Sequence, residues 1–115
     1  MKALSDQALV EIAEFFQALS EPTRLKILTL LQQGEHNVGE LAELGGFTAP
    51  NVSRHLALLA QRGVVVRESR GTNVYYRIAD DAVFALCELV CGHLARRYQR
   101  SIADNSLFGQ AVPAK

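Results

Sequence analysis

A four-residue spacer between two short helical patterns limits the folds that are open to this chain. The spacer "GGFT", residues 45–48, follows a pattern that starts at Asn37 and precedes one that runs to Gln61 or Arg62. Two short helices joined by a tight turn containing glycine form a helix-turn-helix unit. We expect the ring of Phe47 to fill the angle between the two helices.

Both helices carry start signals. Asn37 is followed by Glu40 in capping-box position, and Thr48 is a good N-cap with Pro50 in the first turn after it. The apolar spacing then separates an inner from an outer face. The residues predicted to face inward are Val38, Leu41 and Leu44 in the first helix and Val52, Leu56 and Leu59 in the second.

The patterns on either side complete a winged helix-turn-helix. Residues 4–19 and a segment from a Ser20 cap to Gly34 predict two earlier helices. After Gly63, "VVVRES" and "NVYYRI" flank the turn "RGT" and predict a β-hairpin. A last helix is predicted after Asp80 or Asp81. The order is α-α-α-α-β-β-α, a mainly α fold with a small hairpin.

The length of 115 residues indicates one domain, which we assign to residues 1–100, with a flexible tail at 101–115. The first and last helices are apolar, and the pattern predicts no further layer to cover them. We therefore expect a homodimer through these two helices. Its recognition helices would lie about one DNA turn apart, which suits a pseudo-palindromic operator.

The charge is unevenly distributed, although the formal net charge of the chain is zero. Residues 48–78 carry five arginines and one acid, a net charge of +4, whereas residues 1–47 carry −4. A basic segment in a neutral chain indicates a surface that faces phosphates, and an ordinary solvated surface is the alternative.

The outer face of the second short helix suits double-stranded DNA. Short side chains allow a close approach to base edges, Arg54 could pair with guanine, and Asn51 suits adenine. Ser53 and His55 are predicted to contact phosphates. A plain surface helix is the alternative reading. The predicted DNA contacts are Thr48, Pro50, Asn51, Ser53, Arg54 and His55 in the helix and Arg67, Arg70 and Thr72 in the hairpin.

Four segments together resemble one family of bacterial regulators. "EPTRLKIL", "GELAE", "VSRHLALL" and "RGTNVYYRI" follow the order and spacing of the arsenic-repressor (ArsR/SmtB) family. The resemblance covers about residues 15–95. It implies a homodimeric repressor that releases its operator when it binds a metal ion or when a thiol is modified.

The two metal sites that the resemblance would imply are incomplete in this chain. The family's arsenic site resembles Cys-Val-Cys where this sequence has Asn37-Val38-Gly39. In the zinc pattern of the last helix, Asp80 and His93 match but Ala82 and Arg96 do not. Because a structural zinc ion needs four ligands, we do not expect a zinc site of that kind.

Cys87 and Cys91 lie one turn apart and share a face of the last helix. One interpretation is that they are small packing residues. The other is a sensing site formed by Cys87, Cys91 and His93, for a soft metal or metalloid held by thiolates, or for oxidant or sulfide chemistry. His93 points about 200° away from Cys91, so it would join only from a partner subunit or after local distortion of the helix.

The leading hypothesis is a DNA-binding transcriptional repressor. Two alternatives stay open: a regulator that senses neither thiols nor metals, and a winged-helix module that docks on another protein. We predict no enzyme, because no oxyanion donors or glycine-rich phosphate loop accompany the cysteines. Apolar runs are too short for a membrane span, and the start lacks a secretory signal, so we expect the cytoplasm.

Overall fold

The computed structural model describes residues 3–101, which divide into two compact units that meet in sequence at Asp80 and Asp81. Every predicted helix and both hairpin strands are present. The elements of the first unit are α1 Asp6–Leu19, α2 Pro22–Leu31, β1 His36–Asn37, α3 Val38–Gly45, α4 Ala49–Gln61, β2 Val65–Arg70 and β3 Asn73–Ile78, and the second unit contains α5 Ala82–Ser101.

Side-chain caps fix where the two short helices begin. The Asn37 side chain accepts the Glu40 N–H at 2.8 Å, and the Glu40 carboxylate accepts the Asn37 N–H at 3.0 Å. Thr48 Oγ1 accepts the Asn51 N–H at 3.3 Å. Each bond satisfies a backbone donor that the first turn of a helix leaves unpaired. Both predicted caps are confirmed.

The predicted Ser20 cap of α2 is wrong. Glu21 is the N-cap, and its carboxylate accepts the Arg24 N–H at 2.9 Å. Ser20 instead follows the end of α1, where its hydroxyl donates to the Gln17 carbonyl at 2.8 Å. A carboxylate both accepts a hydrogen bond and favours the positive end of the helix dipole, so it competes well with a hydroxyl there.

The turn between α3 and α4 is built around Gly46 and Phe47. Gly46 has φ 73°, the left-handed conformation that ends many helices. The Phe47 N–H donates to the Ala42 carbonyl at 2.9 Å, and its ring lies against the Cα of Gly45. Leu44, predicted to face inward, is 56% exposed, because the buried side of α3 runs through Leu41 and Gly45, and the Phe47 ring packs against Gly45.

The sheet has three antiparallel strands in the order β1-β3-β2, one strand more than predicted. His36 pairs with Tyr76, which also pairs with Arg67 on the other side. Two residues are too short to show the alternation that marks a strand, so the sequence gives no signal for β1. The apolar core residues of the first unit that are 3% exposed or less are Ala18, Ile27, Leu28, Leu31, Leu41, Val52, Leu56, Leu59, Val64 and Val65.

In the second unit, α5 begins directly after the predicted cap pair, since the Asp81 carbonyl accepts the N–H groups of Phe84 and Ala85. Val83 and Ala95 are buried, whereas Leu89 is 72% exposed. Between residues 3 and 101 no helix combines the length and apolar character needed to cross a bilayer. The tail predicted from 101 onwards lies outside the described residues, apart from Ser101 at the end of α5.

Candidate nucleic-acid interface

Helix α4 presents one buried and one exposed face, as its sequence predicts. Val52, Leu56 and Leu59 are fully buried and hold the helix on the core. Ser53, Arg54 and Ala57 are exposed on the opposite side. The predicted contacts Thr48 and Pro50 are also exposed, at the first turn of the same helix. This leaves one long cationic side chain surrounded by short ones.

The two predicted base-reading residues are bonded to each other. Arg54 Nη2 donates to Asn51 Oδ1 at 2.6 Å, across one turn of α4. Asn51 is half-buried and Arg54 is exposed. The bond takes one of the amide's acceptor positions and restricts the arginine side chain, so Arg54 is partly ordered before any ligand binds.

The predicted outward position of His55 is wrong. His55 is only 9% exposed, and its Nδ1 lies 3.2 Å from Nη1 of Arg24 in α2. The sequence carried a signal for this, because residue 55 is three after Val52 and four before Leu59. That spacing places it on the flank of the buried face. A phosphate contact by this side chain is therefore not supported.

The three wing residues predicted to contact DNA, Arg67, Arg70 and Thr72, are exposed. Arg70, however, is paired within the chain. It makes a two-pronged ion pair with Glu35 and a further bond to Glu68 at 3.1 Å. The Arg70 hydrogen bond lowers the pKa of the Glu35 carboxyl, and the two carboxylates raise the pKa of Arg70.

The ring of Tyr75 completes the surroundings of Arg70, whose guanidinium carbon lies 5.1 Å from the ring centroid. No local pattern in the sequence indicates Glu35 as a partner of the wing. It precedes β1, the strand that sequence reasoning also missed, and 35 residues separate it from Arg70. Pattern reading along the chain detects no pairing over that distance.

On α5, the two cysteines are half-buried and free, and His93 is exposed. Burial, with a smaller contribution from Cys91, raises the pKa of the Cys87 thiol above its ordinary value. Across the described residues, no group of three or more His, Cys, Asp or Glu side chains is arranged to hold a metal ion. Two thiols on one helix face do not complete a metal site on their own.

Comparisons with known proteins give a consistent result. The family model described as "Bacterial regulatory protein, arsR family" matches residues 21–66. The transcriptional regulator CmtR of Mycobacterium tuberculosis is 40% identical over 103 residues, covering 88% of this chain and 87% of CmtR. A probable mercury resistance operon repressor of Streptomyces lividans is 39% identical over 67% of this chain. The matched part is 62% of that repressor, less than two thirds of its length.

A solved structure supports the same assignment. It is the homodimeric winged helix-turn-helix DNA-binding domain of a possible ArsR-family transcriptional regulator from Mycobacterium bovis. It matches with a TM-score of 0.73 and 36% sequence identity, over 84% of this chain and 95% of that one. Fold, family model and relatives agree: the chain belongs to the ArsR family of bacterial regulatory proteins, which are winged helix-turn-helix transcriptional regulators.

Proposed function

We propose that the protein is a sequence-specific transcriptional repressor that inserts α4 into the major groove of its operator. The exposed face of α4 carries this proposal, because Arg54 projects from it beside the short side chains of Ser53 and Ala57. A helix fits the major groove, and a bidentate arginine distinguishes guanine from the other bases there. We expect the protein in the cytoplasm, where bacterial DNA lies.

The wing supplies the second part of the proposed interface. Arg67 and Thr72 are exposed in the hairpin that follows α4, and both can contact phosphates. Such contacts fix the register of the protein on the duplex without reading its sequence. Their number also sets how steeply affinity falls with salt concentration.

We propose that two copies of the chain bind one operator. Exposed apolar residues on α1 support this, since Leu9, Ile12 and Phe16 share one face and are 44%, 37% and 51% exposed. A second copy would cover them. The homodimeric state of the Mycobacterium bovis relative gives independent support.

A duplex-selection experiment tests DNA recognition. Duplexes recovered from a random library by the wild-type protein should bind much more tightly than scrambled duplexes of equal length. Arg54→Ala should lose about 1–3 kcal/mol of binding free energy for the selected duplex and relax the preference at one position of each half-site. Arg62→Ala is the charge control, because it removes an equal charge at the C-cap of α4, where the side chain is paired with Glu14.

Three results would contradict the proposed DNA recognition or its assignment to Arg54. If wild-type protein selects no sequence, it does not read DNA. Failure to bind any duplex even at low salt would favour the alternative winged-helix module that docks on another protein. If Arg54→Ala and Arg62→Ala behave alike, Arg54 does not read a base.

We further propose that Cys87 and Cys91 take part in sensing, with His93 contributing only from a second chain. The mercury resistance relative supports a soft metal or metalloid as the signal. The raised pKa of Cys87 opposes metal binding, because the thiol must lose its proton to bind a metal ion. The raised pKa therefore favours the packing alternative.

Release of DNA distinguishes sensing from packing. Mercury(II) or antimonite should release the wild-type protein from its selected duplex, whereas Cys87→Ser/Cys91→Ser should bind DNA normally and stay bound. His93→Gln tests the third candidate ligand. Equal release from wild type and the double cysteine variant would leave both cysteines as packing residues.

A further inference from the structure

His55 is a buried polar side chain on the helix that we propose reads DNA. Its exposure is 9%, and its Nδ1 lies 3.2 Å from Arg24 Nη1. A buried imidazole needs a hydrogen-bond partner, because desolvating an unpaired polar group is unfavourable. Arg24 provides that partner from α2, 31 residues earlier in the chain.

The direction of this hydrogen bond follows from the chemistry of the two groups. A guanidinium has only donors and keeps its proton in proteins. His55 Nδ1 must therefore accept, which makes the imidazole neutral with its proton on Nε2. A protonated imidazole has no acceptor to offer, since both of its ring nitrogens donate.

Arg24 is itself held at several points. Its Nε donates to the Ala18 carbonyl at 2.6 Å, and its Nη2 donates to the Gln17 carbonyl at 3.3 Å. Its backbone N–H donates to the Glu21 carboxylate at 2.9 Å. The planar guanidinium thus ties the end of α1 and the start of α2 to the middle of α4.

The neighbour of His55 on α4 is Arg54. Because both belong to one rigid turn of helix, a rotation of α4 that breaks the bond to Arg24 also moves the guanidinium of Arg54. Base reading tolerates little movement, since a bidentate contact requires both donors to be aligned with the base edge.

We propose that the Arg24–His55 hydrogen bond positions α4 for operator reading, and that this positioning requires a neutral His55. The inference rests on the proposed function, because it concerns how DNA is read. It makes His55 and Arg24 positioning residues that need not touch DNA themselves.

The charges around His55 explain why a proton would disrupt the contact. From α2 it faces the Arg24 cation and is influenced by the Glu21 carboxylate, which already accepts the Arg24 N–H. From α1, the carbonyls of Gln17 and Ala18 in this cluster are uncharged and accept from Arg24. Protonation would set a donor against a donor and a cation against a cation.

Two variants of equal shape test the hydrogen bond. Asparagine and leucine both branch at Cγ, but only asparagine has an oxygen at the position of Nδ1. His55→Asn keeps an acceptor that does not titrate, whereas His55→Leu removes it. The readout is the affinity ratio between a duplex selected by wild-type protein at neutral pH and a scrambled duplex, measured by fluorescence anisotropy.

We expect the wild-type ratio to fall about tenfold between neutral pH and an acidic pH at which NMR shows the imidazole of His55 to be protonated. His55→Asn should keep the ratio at both pH values, and His55→Leu should have a low ratio at both. His36→Gln is the matched control and should follow wild type. The direction of the change is diagnostic. A histidine that gains charge near phosphates strengthens binding to any DNA at low pH, whereas loss of the Arg24–His55 bond lowers the preference for the selected duplex.

A wild-type ratio that stays constant while NMR shows His55 becoming protonated would overturn the inference, and so would a His55→Asn ratio as low as that of His55→Leu. If His55→Leu does not fold, as judged by circular dichroism, the pH profiles of wild type and His55→Asn decide alone. Failure of wild-type protein to prefer any duplex at neutral pH would instead refute the proposed function.

Discussion

At the residue scale, the bond between Asn51 and Arg54 changes the role expected of Asn51. The sequence suggests that each side chain reads its own base, Asn51 an adenine and Arg54 a guanine. The 2.6 Å bond joins the amide oxygen to the guanidinium, so Asn51 can act by holding Arg54 in place. Ordering a long side chain in advance lowers the entropy lost on binding.

The first prediction separates these two roles. Asn51→Ala should reduce discrimination at the same base pair as Arg54→Ala, by less than the about 1–3 kcal/mol expected for the arginine itself. Affinities for duplexes that carry each single base change measure this. Loss of preference at a different base pair would show that Asn51 reads a base independently. Ser53→Ala is the control, because it changes a short neighbour without disturbing the bond.

The second prediction concerns Arg70, which the wing holds between two carboxylates. In this arrangement one cation faces the acids Glu35 and Glu68, so the cluster offers little net attraction to phosphate. Glu35→Gln should raise the affinity for every duplex and steepen the dependence on salt by at most about one phosphate contact, because Arg70 is then held by Glu68 alone. Glu11→Gln on α1 removes an equal charge elsewhere. If both variants change affinity alike, the gain comes from net charge alone.

At the scale of elements, the turn between α3 and α4 depends on a glycine next to an aromatic ring. A Cβ on Gly45 would lie 2.5 Å from Cε2 of Phe47, closer than non-bonded atoms approach. Gly39 in the same helix is different, since a Cβ there would meet only Asn37 Oδ1, at an ordinary 3.6 Å. The two glycines therefore allow a matched comparison.

The third prediction is that equal substitutions at these glycines have opposite effects. Gly45→Ala should lower the free energy of unfolding by about 1–3 kcal/mol, because the Phe47 ring must move from its packed position. Gly39→Ala should raise it by about 0.4–1 kcal/mol, because alanine reduces the freedom of the unfolded chain. Urea unfolding followed by circular dichroism measures both. Effects of the same sign would mean that the Phe47 ring does not determine this turn.

Elements with local signals were predictable, and those that depend on distant residues were not. The Asn37 capping box, the Thr48 cap and the hairpin strands all follow from residues within a few positions of one another. β1 exists because His36 and Asn37 pair with β3, about forty residues later. In the candidate interface, the exposure of Arg54 and the burial of His55 both follow from helical spacing, whereas the hydrogen-bond partner of His55, Arg24, lies 31 residues away in the chain.

At the scale of the whole molecule, the basic segment is less positive than its sequence suggests. Arg62 pairs with Glu14 at 3.1 Å, and Arg70 pairs with Glu35, so two of its five arginines are bonded to acids of the acidic first segment. Counting charges along the chain does not detect such pairs. Arg54 and Arg67 are the exposed arginines that we assign to DNA, and we expect a modest salt dependence for each copy of the chain.

The proposed dimer depends on an apolar face that one copy of the chain leaves exposed. Leu9, Ile12 and Phe16 follow helical spacing along α1, and Phe16 is 51% exposed. An exposed side chain contributes little to the stability of its own protomer. A charge at this position should therefore act on assembly and leave folding intact, since burying an unpaired carboxylate in an interface is strongly unfavourable.

The fourth prediction follows: Phe16→Glu should sediment as a folded monomer at concentrations where wild-type protein is dimeric. Leu44→Glu is the matched control, because Leu44 is 56% exposed on α3 and does not belong to the proposed dimer face of α1, so this variant should stay dimeric. The monomer should bind a full operator no more tightly than a half-site, since it loses the gain from joining two half-sites.

A Phe16→Glu variant that remains dimeric would exclude this face of α1 from the interface. A wild-type monomer that binds a full operator tightly would require one copy of α4 to supply all the recognition.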